Sequence, residues 1–223
     1  MSKVVLGLLL VVLLLAAGQV LVPRIAGQAL SQALTRVTGP GSRDTVTVGA
    51  VPFFQLFQGR FQAVDVSAEH VDAHGLTIGS LVVLWQNGTV NVPDLVQHHE
   101  LRVVKQGALA ATVRVSGSSL AQFLDESGRI HNARVTVAAA YVRISGTVSI
   151  GGINGPLDAT GRFSIGPGGR TILFQPLSVN GLGVPAVTRL QLLSIASLHL
   201  PIPVTVTGIR LAPPYVVVTA HSS

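Results

Sequence analysis

The chain has 223 residues, with 15 Lys or Arg against nine Asp or Glu, no Cys, and a charged fraction of only 11%, against roughly 25% in soluble domains. The absence of Cys excludes disulfides, thiolate metal sites and a lipid-anchored N-terminal Cys. The basic residues are scattered without a run, which argues against a nucleic-acid patch, and the apolar leader points to membrane phospholipid, of anionic charge, and the membrane surface as partners.

The first 22 residues are the membrane-seeking part. Val4 to Val22 is a 19-residue apolar run interrupted only by Gln19. As a helix it measures about 28 Å, which just spans a hydrocarbon core of about 30 Å. The same run fits a signal peptide cleaved near Ala16-Ala17-Gly18. Residues 1–22 are thus read as a membrane anchor or signal peptide. Residues 23–221 are read as one domain on the outer side of the cytoplasmic membrane, in the cell envelope, either anchored or secreted.

Pro23 starts a second pattern. Ile25, Ala26, Ala29, Leu30, Ala33, Leu34 and Val37 recur at three- and four-residue steps, which is one apolar stripe on a helix. Gly39-Pro40-Gly41 ends it. Beyond this point the chain reads almost entirely as strand. Val64, Val66 and Ala68 alternate with Asp65, Ser67 and Glu69. Phe53, Phe54, Phe57 and Phe61 cluster around Gly59, and Leu81–Trp85 is continuously apolar. Asn87-Gly88 reads as a tight hairpin turn into Val90-Asn91-Val92.

Leu101–Lys105 and Leu109–Val115 are expected to pair around Gly107. Ser119 to Gln122 has capping-box spacing, with Leu120, Phe123 and Leu124 on one face and Gly128 at the end, so a short helix is expected there. Alternating pairs follow at Val135/Val137, Val142/Ile144, Val148/Ile150, Leu157/Ala159 and Phe163/Ile165. Gly166-Pro167-Gly168-Gly169 turns the chain into Ile172–Val179. Pro185 to Ser197 is read as a third helix. The apolar parity between Val206 and Ile209 shifts around Gly208, which predicts a bulge. The last strand is Tyr215–Thr219.

Runs of strands with few helices predict an antiparallel sheet and the α+β class. The expected architecture is a long N-terminal amphipathic helix packed in a strongly curved antiparallel sheet, with one short extra helix, preceded by the transmembrane or signal helix.

No catalytic constellation emerges. His70 and His74 are four apart but sit near a strand end, and His98-His99 read as loop. Asp125-Glu126, the one adjacent acidic pair, falls at the exposed end of the short helix. No Walker loop, dinucleotide fingerprint or nucleophile elbow is present. The expectation is a non-enzyme without metal or cofactor.

Two segments carry a resemblance. Val48–Val71 (VGAVPFFQLFQGRFQAVDVSAEHV) has a Pro, aromatic and aliphatic residues, a Gly and an alternating strand. Leu198–Ala220 (LHLPIPVTVTGIRLAPPYVVVTA) has a Leu-Pro, an alternating strand, a break and a final hydrophobic strand. With the leader and amphipathic stripe, the chain resembles the LmeA-like family of bacterial envelope proteins over about residues 20–221. The resemblance implies a fold similar to the tubular lipid-binding, BPI-like proteins, phospholipid binding outside the cytoplasmic membrane, and in some members a role in envelope glycolipid assembly. Acyl chains would then lie between helix and sheet, lined by Ile25, Leu30, Leu34, Phe53, Phe54, Phe57, Phe61 and Trp85, chosen by hydrophobicity and position. The alternative is an envelope scaffold or assembly factor with a filled core and no lipid, its protein partner unidentified.

Overall fold

Alternating apolar and polar residues form strands along most of the chain, as the two-residue repeat of side-chain direction requires. The computed structural model describes residues 43–49, 53–73, 75–98, 102–128, 130–150, 153–183, 190–194 and 203–222. The anchor or signal segment at 1–22 and the amphipathic stripe from Ile25 to Val37 lie outside these residues.

The described residues hold fourteen strands and one α-helix. The strands are β1 (Arg43–Gly49), β2 (Ala63–Ala73), β3 (Leu76–Gln86), β4 (Thr89–Val90), β5 (Val103–Lys105), β6 (Ala108–Ser116), β7 (His131–Val137), β8 (Val142–Ile150), β9 (Ile153–Ile165), β10 (Thr171–Val179), β11 (Leu182–Gly183), β12 (Leu190–Ser194), β13 (Val204–Ala212) and β14 (Tyr215–Ser222). The helix, α1 (Gly117–Glu126), follows β6.

This corrects the α+β expectation. The described structure is mostly sheet, with no long N-terminal amphipathic helix packed in a curved sheet. The physical reason is that apolar sheet faces are covered by other sheet faces, with α1 adding one short apolar face. Among the described residues, no helix is long and apolar enough to cross a membrane. The expected third helix is also corrected: Leu190–Ser194 is β12, an antiparallel partner of β10 from Thr171↔Ser194 to Phe174↔Leu190. An open ladder edge on β10 satisfies this backbone and overrides a helical side-chain pattern.

The chain divides into two compact units. The first contains, among the described residues, Asp44–Ser67 and Val83–Leu109. Its centre is Phe61 and Trp85, buried and packed edge to face with ring centroids 4.5 Å apart. The indole Nε1–H of Trp85 donates to the Gln106 carbonyl. Gly88 closes against both rings: a Cβ there would meet Phe61 Cζ and lie 2.7 Å from Trp85 Cε2.

The Asn87-Gly88 hairpin is corrected, because β4 pairs with β5. Asn87 N–H donates to the Gln62 carbonyl at 3.0 Å and Phe61 N–H to the Gly88 carbonyl at 3.3 Å. These bonds tie the 87–88 backbone to the segment before β2, so the chain does not turn back on β3. The pairing expected around Gly107 fails for the same reason: β5 is taken by β4, and β6 pairs with β14 from Tyr215↔Ser116 to His221↔Ala110.

Trp85 is the chain's only Trp, so its emission reports this unit. Replacing Gly88 by Val overpacks the Phe61–Trp85 contact. The expected result in a urea melt followed by Trp fluorescence is a loss of about 1–3 kcal/mol.

The second unit contains Ala68–Val82 and Ala110–Ser223 among its residues. Within it the strand order of one sheet is β2-β3-β6-β14-β13, and of the other β11-β10-β9-β8-β7, with β12 also on β10. The ladders β6–β14, β13–β14 and β7–β8–β9–β10 are antiparallel. The two sheets meet at a core of Val137, Val142, Ile144, Ala159, Phe174 and Val216, joined by Leu124 of α1.

Helix α1 is set by its caps. The Ser116 Oγ accepts from the Ser119 N–H at 3.0 Å, so the N-cap lies three residues before the expected Ser119. Gly128, at φ +67°, ends the helix as expected. The bulge predicted near Gly208 is present: Val206 pairs with Ala220 and Gly208 with Thr219, leaving Thr207 unopposed. The turn at Gly166–Gly169 joins β9 to β10 as expected.

On the outer surface of the second sheet, Arg143 Nε donates to Asp158 Oδ1 at 2.8 Å and its NH2 group to Oδ2. Hydrogen bonding from Arg143 holds the Asp158 carboxyl below the ordinary Asp range, opposed by desolvation and aided by the guanidinium charge. A folded pKa below the unfolded one means the pair stabilises the fold above the ordinary Asp pKa of about 3.9 and ceases to do so as pH falls through the folded value. A carboxyl NMR titration should place the Asp158 midpoint below about 3.9, and Arg143→Gln should return it upward.

Candidate functional site

The second unit holds an apolar cavity of about 130 Å³, partly open to its surroundings, between its two sheets. From the first sheet come Ala73 at the end of β2, Leu76 and Ile78 on β3, Val113 and Val115 on β6, and Val216 and Val218 on β14. The opposite wall is Val135 on β7, Ile144 on β8, Phe163 on β9 and Ile172 on β10. Leu120, Phe123 and Leu124 project from α1. Strands β3, β6 and β14 each contribute two residues two apart, because alternate side chains point to one face. The helical residues fall at i, i+3 and i+4, which is one face of α1.

Several features fix the walls. Val216 pairs with Val115, and Val218 with Val113, so the β6 and β14 contributions stand side by side. Phe163 is braced edge to face by Phe174, centroids 5.8 Å apart, and Phe174 is buried in the core. Gly117 lets α1 approach β7: a Cβ there would lie 2.5 Å from the Val135 carbonyl oxygen. Leu124 and Ile144 belong at once to the cavity and to the core.

All fourteen lining residues are apolar. Such a surface has no donor, acceptor or titratable group, and it binds by exclusion of water and by dispersion. Among the described residues, no group of three His, Asp or Glu is placed to hold a metal ion.

Of the residues chosen from sequence, only Phe57, Phe61 and Trp85 have described side chains. Ile25, Leu30 and Leu34 fall outside the described residues. Phe53 and Phe54 open a 3-10 turn, Phe53–Gln58, and their side chains lie outside the described ones. Phe57, in the same turn, is 65% exposed. Phe61 and Trp85 pack on each other in the first unit. Phe57, Phe61 and Trp85 are not among the residues that line the cavity.

The lining that sequence reasoning missed carried a weak signal. Leu120, Phe123 and Leu124 were legible as one helix face, and Val113 and Val115 as alternating positions. An inward valine beside a cavity has the same pattern as an inward valine in a filled core. Leu124, only 4% exposed, packs at that boundary. Leu124→Ala should cost about 2–5 kcal/mol in chemical denaturation.

A sheet-on-sheet unit with an all-apolar cavity between its sheets is a fold suited to an apolar ligand. The chain belongs to the LmeA-like phospholipid-binding family, whose model matches residues 15–221. No curated protein and no solved structure matches it.

Proposed function

We propose that this chain binds a phospholipid by taking part of an acyl chain into the cavity of the second unit, and that it does so outside the cytoplasmic membrane in the service of envelope lipid or glycolipid assembly. The observation that carries the reading is the fourteen-residue apolar lining. Membership of a phospholipid-binding family supplies the ligand class. The apolar run Val4–Val22 supports the location, as an anchor or export signal. The excess of basic over acidic residues supports an anionic lipid.

The magnitudes are consistent. An apolar cavity of about 150 Å³ stays dry and accommodates benzene, so about 130 Å³ accepts a segment of roughly six carbons. At about 0.8 kcal/mol per methylene, that segment gains about 5 kcal/mol on leaving water. The rest of the lipid remains outside the cavity.

Native mass spectrometry with lipid extraction, on the full chain purified from a bacterial host, tests this. Phospholipid should co-purify at near-stoichiometric occupancy. Filling the cavity by Val113→Phe with Val218→Phe should lower that occupancy about tenfold or more while the sheet signal in circular dichroism persists. A lipid-free folded wild type would sink the proposal and favour a scaffold. Undiminished occupancy in the folded double variant would place the lipid elsewhere.

A further inference from the structure

The face of the second sheet that points away from the cavity has an unequal charge. Ladder pairing sets which side chains share it. Arg143 stands opposite Thr136 and Thr160, Arg134 opposite Ser145, and Ser145 opposite Asp158. Arg162 stands opposite Gln175. Arg134, Arg143 and Arg162 therefore share one face, the one opposite Ile144 and Phe163, at successive diagonal positions on β7, β8 and β9.

Diagonal neighbours in a ladder are roughly 7–8 Å apart along the backbone, so the three arginines stand in one row across the strands. All three arginines are exposed. The acid within this row is Asp158, which is engaged by Arg143. Arg162 Nε donates to the Ala140 carbonyl at 3.2 Å, which ties its stem to the β7–β8 turn. Beside it stands Tyr141, 44% exposed. Leu177, also 44% exposed, is the unopposed residue of a bulge in β10, where Pro176 pairs with Gly161 and Ser178 with Thr160.

We infer that this outer face, marked by Arg134, Arg143, Arg162 and Tyr141, is a docking surface for an anionic phospholipid bilayer. Charge complementarity selects the occupant. The forks of Arg134 and Arg162 match phosphate oxygens in pairs, while that of Arg143 is held by Asp158. A tyrosine with an apolar ring and polar tip suits the water–lipid boundary. The neighbours here are Thr136, Ser145, Thr160 and Gln175, which keep the face wet and leave it without the apolar core of a protein–protein interface. The inference rests on the phospholipid-binding reading for its partner, but on a different surface from the cavity.

The test uses the full chain and vesicles of phosphatidylcholine alone or doped with phosphatidylglycerol. Flotation should show tighter association with the anionic vesicles. Arg134→Gln with Arg162→Gln should weaken that preference about 25-fold, at about fivefold per arginine near an anionic surface. A Tyr141→Trp chain should show a blue-shifted new emission component with anionic vesicles and none with neutral ones, since the native Trp85 is buried in the first unit. An unchanged preference in the double variant, or equal emission from Trp at 141 with both vesicles, would overturn the inference. Lipid occupancy is measured on the same samples. Intact occupancy with lost vesicle preference supports the docking face as separate from the cavity. Lipid-free protein that retains the arginine-dependent preference also supports the face, and removes only the cavity reading.

Discussion

The second unit depends on its backbone ladders holding two apolar faces apart. Left to themselves, Val113, Val218, Ile144 and Phe163 would gain by closing the space between them. The side chains stay separated because moving a strand inward breaks hydrogen bonds along its whole length, on β6–β14 on one side and β7–β8–β9–β10 on the other. Unmade backbone bonds in an apolar setting cost more than the void. The same constraint keeps the site free of polar groups, since both ladders satisfy their own donors and acceptors.

Helix α1 works within this constraint. It has no ladder to hold it, so caps and close approach do so: Ser116 at one end, Gly128 at the other, and Gly117 against β7. Its apolar residues extend the lining where strands end. The first unit is held by another device. Phe61 and Trp85 form a local aromatic centre, with Gly59, Gly88 and Gly107 each set where a side chain would meet backbone or ring atoms.

The sequence made faces legible and partners illegible. The alternation at Val64, Val66 and Ala68, and at Val142 and Ile144, marks inward residues that are buried in the structure. The short helix at Leu120–Leu124 and the bulge at Gly208 were equally readable, because each is a local break in period. Pairing depends on backbone bonds between distant segments. Nothing in Val103–Lys105 says that its neighbour is Thr89–Val90 and not the strand after Gly107. The cavity was less legible still. A dense group of phenylalanines draws attention, but ring area is as useful in a core as beside a ligand, and Phe61 with Trp85 uses it as core. The cavity is walled by one or two residues from each of eight strands and three from α1, and a space between faces leaves no trace in either strand's own pattern.

The bulge in β13 has a further consequence for how this chain tolerates changes of length. Val206 faces Ala220 on the inner side, and Ile209 and Leu211 return to that side opposite Val218 and Val216. Thr207 is the supernumerary residue between them. Its removal leaves Val206 and Ile209 two apart, so the inner set stays inner and only the local kink is lost. Removing one residue from the regular stretch of β14, by contrast, would turn either Val216 or Ala220 outward. A strand of this sheet thus has one place where the reading frame of its faces can absorb a missing residue, and it coincides with its most irregular backbone.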